Sequence, residues 1–188
     1  MKHRLFVGIP ISAEVQERVL ALIFQLKKIN ADLNLVPPEN LHFTLKFLGD
    51  VEDSKIPSIP KKLANICSKK HSFDLSVSTV GAFPSSERIN VIWVGGSQEL
   101  LPLMNEVDTA LNTIKQNDHS EDIPHLTIAR VKSEKEKLKK EKELTDFLQS
   151  HKDDFFGTMT VRAIILYKSE LAAAGPVYSI VQKYNFLP

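Results

Sequence analysis

The chain carries one four-residue pattern twice, as His42-Phe43-Thr44-Leu45 and as His125-Leu126-Thr127-Ile128, 83 positions apart and each within an apolar, strand-like stretch. This repeat restricts the possible folds more than any other feature, because the flanking elements sit at similar offsets from each copy and so point to a single internal duplication. Successive side chains of a β-strand alternate between its two sides. His42 and Thr44 are therefore expected on one side with Phe43 and Leu45 on the other, and His125 and Thr127 opposite Leu126 and Ile128. Two polar faces, each with an imidazole and a hydroxyl, are predicted to meet where the halves join.

The elements around the motifs follow a matched order. Arg4 to Ile11 is rich in strand formers, and Ser12, with Glu14 in the first turn, opens a helical periodicity reaching about Lys28. The tandem prolines Pro37 and Pro38 exclude helix and lead into an extended segment from Leu41 to Leu48, which Gly49-Asp50 is expected to stop. A helix from Ser54 or Pro57 to Ser68 and a strand from Phe73 to Phe83 complete a β-α-β-α-β half. The second half reads as a strand at Asn90 to Val94, a helix from Gln98 to Ile114, a strand opened by Pro124, a charged helix from Ser133 to Leu148 and a strand from Thr158 to Tyr167. A last strand spans Pro176 to Phe186. The pattern predicts one α+β domain over residues 1–188, with pseudo-repeat halves of about 1–85 and 86–188 facing one cleft. No G-x-G-x-x-G or P-loop pattern is present.

Composition narrows the partners. Lysine and arginine total 24 against 23 acidic residues, so any contact with nucleic acid must be local rather than a general basic field. The run Lys132 to Glu143 interleaves lysine with glutamate, as on a solvated helix face. Cys67 is the sole cysteine and reads as a small apolar residue, consistent with a reducing compartment. No uncharged apolar run approaches the roughly 18 residues of a membrane span, so a soluble, cytoplasmic monomer is expected. His3, His71, His119 and His151 lie in polar or terminal contexts and read as solvent-exposed.

Two imidazoles with ordinary pKa values of about 6.5 can serve as proton acceptor and proton donor in one displacement. At a phosphodiester the attacking and leaving oxygens lie roughly in line through phosphorus, so base and acid must approach from opposite sides. The hydroxyls of Thr44 and Thr127 suit the charged non-bridging oxygens between them. Arg130 offers a guanidinium fork, but its odd spacing from Thr127 places it on the wrong face of a regular strand, so it needs a bulge or a long reach. Two histidines without a nearby cysteine or acidic cluster make a poor zinc site, and no metal is expected. A non-catalytic binder of RNA ends is the alternative from outside enzymology.

These residues resemble the 2H phosphoesterase superfamily, and within it the RNA 2',3'-cyclic phosphodiesterases, also called 2'-5' RNA ligases. The segments RLFVGIPIS, VPPENLHFTLKFLGDV, GAFPSSERINVIWVGG, PHLTIARVK, LYKSEL and GPVY carry the resemblance over nearly the whole chain. It implies a bilobal α+β fold of two antiparallel-rich sheets with outer helices, related by a pseudo-twofold axis about a central cleft. It also implies hydrolysis of a 2',3'-cyclic phosphate end to a 2'-phosphomonoester, without cofactor or metal, with reversible 2'-5' ligation as the alternative. The implied partner is RNA with such an end, tRNA-derived ends among them. By the same resemblance His42 is the proton donor and His125 the proton acceptor, while Thr44, Thr127 and Arg130 bind phosphate. One departure is Leu35, where family members often carry an aromatic residue.

Overall fold

The computed structural model describes residues 1–86, 88–115, 123–132, 134–172 and 175–188. In chain order the elements are β1 (Lys2–Pro10), α1 (Ala13–Lys27), β2 (Leu33–Leu35), β3 (His42–Glu52), α2 (Ser58–Cys67), β4 (Phe73–Pro84), β5 (Ile89–Gly96), α3 (Leu101–Leu111), β6 (His125–Val131), α4 (Glu134–His151), β7 (Phe155–Val161), β8 (Ala163–Ala172) and β9 (Gly175–Asn185). Ser12 starts α1 as expected, its Oγ accepting from the Val15 N–H at 3.3 Å. Val15, Val19, Leu22, Ile23 and Leu26 then bury one face of that helix.

The strands form one antiparallel nine-stranded sheet in the order β7-β4-β5-β6-β3-β1-β8-β9, with the short β2 beside β6. Each motif strand therefore lies at the centre. The two sheets anticipated from the resemblance are continuous here through a single pairing, Phe43 with Leu126. Around that join the chain exchanges strands: β4 of the first half pairs with β5, and β8 of the second half pairs with β1. Leu5, Val7, Ile9, Phe43, Leu126, Ile164 and Leu166 share one core with residues from all four helices. Leu35 of β2 also packs against it.

Three local expectations are corrected. Gly49 does not end β3, which runs on to Glu52; Leu48 is bulged out against β1, and Gly49 takes a φ of +66° that lets the strand continue. The strand expected from Thr158 to Tyr167 is two strands separated only by Arg162, yet β7 and β8 stand far apart in the strand order. The sheet must bend for one residue to connect them. His3 and His151 are half-buried rather than simply exposed, held by Asp53 at 2.9 Å and Asp154 at 2.7 Å. His71 is exposed, with Nδ1–H donating to the Pro188 carbonyl at 2.8 Å, and His119 lies outside the described residues. Cys67 is buried, and desolvation pushes its thiol up to about 11, as fits an inert apolar residue.

Candidate active site

The pairing of Phe43 with Leu126 decides the geometry of the site. Both side chains are fully buried in the core, so by alternation the four half-buried residues His42, Thr44, His125 and Thr127 share the opposite face. An antiparallel pair has a local twofold axis. Centred on Phe43 and Leu126, it relates His42 to His125 and Thr44 to Thr127. The two histidines are then diagonal neighbours, about 7–8 Å apart in a regular ladder.

Each imidazole is fixed by the same backbone device. His42 Nδ1–H donates to the Asn40 carbonyl at 2.6 Å, and His125 Nδ1–H donates to the Ile123 carbonyl at 2.8 Å. A carbonyl can only accept, so Nδ1 carries the hydrogen in both rings and Nε2 is the nitrogen that can exchange a proton. Thr44 Oγ1 lies 3.0 Å from His42 Nε2 and is its donor or acceptor according to the charge on the ring.

The surroundings differ between the two motifs. The His42 ring lies 4.8 Å from Phe6, 5.9 Å from Tyr167 and 5.5 Å from Tyr178, the last edge-on. Phe6 is only 2% exposed yet stands apart from the main core, as part of this aromatic nest. Gly8 makes room for the ring: a Cβ there would fall 2.9 Å from the Phe43 carbonyl oxygen and 3.1 Å from His42 Cδ2. Burial lowers the His42 pKa below the ordinary 6.5; the Asn40 hydrogen bond opposes this, and the charge of His125 adds to it. The two imidazoles thus act on each other electrostatically. His125 has Phe83 edge-on at 4.8 Å and Trp93 at 6.4 Å. Gly81 opens the space that the Trp93 ring occupies.

Arg130 reaches the motif face through a bulge. Along β6, Thr127 pairs with Trp93 and Ala129 with Ile92, so Ile128 is the extra residue, and Ile128 and Ala129 are buried in succession. That extra residue resets the alternation and brings exposed Arg130 to the side of His125 and Thr127. Its charge is felt by Tyr178, whose hydroxyl is pushed above the ordinary tyrosine range by burial and pulled back by Arg130 and Arg4. β3 has the matching irregularity: Thr44 pairs with Gly8 and Lys46 with Val7, leaving Leu45 extra. Phe47 is consequently the counterpart of Arg130.

All five site residues anticipated from the sequence are thus brought to one face. Asn40, Phe6, Tyr167 and Tyr178 were not anticipated, although each lies in a segment that carries the resemblance; Asn40 sat in the turn before the first motif, and the rings come from strands distant in sequence. Among the described residues, no group of three or more His, Cys, Asp or Glu side chains is arranged to hold a metal ion, and no helix is long and apolar enough to cross a membrane.

Residues 9–93 match the family model described as LigT like Phosphoesterase. A protein of Methanocaldococcus jannaschii named RNA 2',3'-cyclic phosphodiesterase is 34% identical over 96% of this chain and 99% of its own length. One of the same name from Archaeoglobus fulgidus is 33% identical over 97% and 99%. Among solved structures, a Thermus thermophilus protein superposes with a TM-score of 0.80 at 21% identity, covering 97% of each chain. Escherichia coli LigT complexed with 3'-AMP gives 0.74 at 22% identity, covering 100% of each.

Proposed function

The chain belongs to the LigT-like phosphoesterase family, and from that premise we propose that it hydrolyses the 2',3'-cyclic phosphodiester at an RNA end to a 2'-phosphomonoester. The observation that carries the reading is the pair of imidazoles on one face, each with Nδ1–H bound to a backbone carbonyl, which makes Nε2 the proton-exchanging nitrogen of both rings.

His125 Nε2 takes a proton from water, whose oxygen attacks phosphorus. The bond from phosphorus to O3' breaks as His42 Nε2 delivers its proton to the departing oxygen. His125 ends charged and His42 neutral, and exchange with solvent restores both. Thr44, Thr127 and Arg130 hold the non-bridging oxygens, where their donors stabilise the charge that develops. Both halves of the chain supply the reacting groups, so the whole chain works as one unit.

The test is mass analysis of an oligoribonucleotide with a 2',3'-cyclic end after incubation. The expected product has gained one water and carries a 2'-phosphate, with the rate indifferent to chelators. His42→Ala and His125→Ala should each lose about 10²- to 10⁴-fold while remaining folded. Retention of most activity by either variant, or by His→Gln at both positions, would defeat the reading. Joining to an added 5'-hydroxyl RNA, in place of hydrolysis, would favour the ligation reading.

A further inference from the structure

β4 is irregular two strands away from the second motif. Ser78 pairs with Gly95 and Val80 with Val94, so Thr79 is an extra residue, and it holds a φ of +66°. That conformation is costly for a β-branched side chain. It is imposed from both sides: buried Val80 follows it, and the Thr79 N–H donates to the Asp154 carbonyl at 2.8 Å. Strain of this kind persists only where the surrounding fold over-determines it, and it gathers at functional sites.

The bulge decides where the Thr79 hydroxyl goes. Gly95 pairs with His125, so a side chain at position 95 would stand on the motif face next to that histidine, whereas Gly96 turns toward the core, against Phe43. Thr79 takes the place of that missing side chain: a Cβ on Gly95 would fall 2.5 Å from Thr79 Oγ1 and 2.8 Å from the Ser78 carbonyl oxygen, with the Trp93 ring 3.4 Å away. Cross-strand Cβ positions are about 4.5–5.5 Å apart. One water with hydrogen bonds of about 2.8 Å on each side spans that gap. We propose that Thr79 positions the water that attacks phosphorus, its Oγ1 accepting from one O–H while His125 removes the other hydrogen. This rests on the phosphodiesterase reading above. A water held by both hydrogens turns an oxygen lone pair toward phosphorus, on the side opposite the departing O3'. As the new bond from oxygen to phosphorus forms and the bond to O3' breaks, the hydrogen on Thr79 stays with the new phosphate oxygen. An alcohol has one hydrogen, which His125 takes, and offers none to Thr79.

The experiment offers an oligoribonucleotide with a 2',3'-cyclic end a mixture of water and methanol and reads the products by mass, a 2'-phosphate from water and its methyl ester from methanol. Thr79→Val and Thr79→Gly, the second free of the strain, should each lower kcat for hydrolysis by about 2- to 13-fold, the worth of one neutral hydrogen bond, with KM little changed. Both should raise the ratio of methyl ester to phosphate by the same factor, and Thr79→Ser should keep the wild-type rate and ratio, with circular dichroism verifying that all three are folded. A ratio that stays at the wild-type value in Thr79→Val and Thr79→Gly overturns the proposal even where kcat falls, because a merely structural role slows both nucleophiles alike. Failure of the wild-type protein to open the end with either nucleophile overturns the phosphodiesterase reading and the role of Thr79 with it.

Discussion

At the scale of single residues, His42 is set apart from His125 by what covers it. Burial among Phe6, Tyr167 and Tyr178 lowers its pKa, so in the free protein the ring loses its proton below pH 6.5. A proton donor must be charged to act. The kcat/KM profile, which reports the free enzyme, should therefore fall on its alkaline side at a pH below the ordinary imidazole value. A fall that begins only above pH 7 would argue against His42 as the donor. Asn40 offers a second prediction. It is 7% exposed, its carbonyl accepts from His42, and its Nδ2 donates to the Pro176 carbonyl at 2.8 Å, linking the imidazole to β9 beside Tyr178. Asn40→Ala removes that hydrogen bond to exposed Pro176 and should cost about 1 kcal/mol of stability in denaturant titration. It should also lower kcat more than it raises KM, because the backbone that aims His42 is loosened.

At the scale of elements, bulges do what regular strands cannot. In a strict two-residue alternation Arg130 and Phe47 would point into the core; one extra residue in each strand turns them outward. The bulge in β3 also sends Lys46 inward, where it is 5% exposed and paired with Asp108 of α3. Removing one partner of such a pair leaves a charge with nothing to balance it. Asp108→Ala should destabilise the fold by about 3 kcal/mol, whereas Lys46→Met combined with Asp108→Leu, which replaces both charges by apolar volume, should be nearly neutral. Equal losses for the two variants in chemical denaturation would argue that the ion pair is not what the bulge requires.

At the scale of the whole molecule, the site exists only where the two halves join, and its titration feeds back on the fold. The His42 pKa is lower in the folded chain than in the unfolded one, so the unfolded state binds more protons between the two values. The contribution is fully present above pH 6.5 and is lost as pH falls through the unfolded value toward the folded one. Unfolding free energy should therefore decrease on acidification through that window, and His42→Gln should flatten the slope. What the sequence determined by itself was local: strand and helix patterns, the Ser12 cap, and two copies of a His-x-Thr pair whose alternation put four polar side chains on the strands' outer sides. Proximity along the chain and side-chain period are enough to settle such features. The tertiary structure alone decided the rest. Only the pairing of Phe43 with Leu126 could bring the copies together, only a bulge could turn Arg130 toward them, and only strands from opposite ends of the chain could surround His42 with rings. Register and long-range packing depend on contacts between residues that no local pattern records.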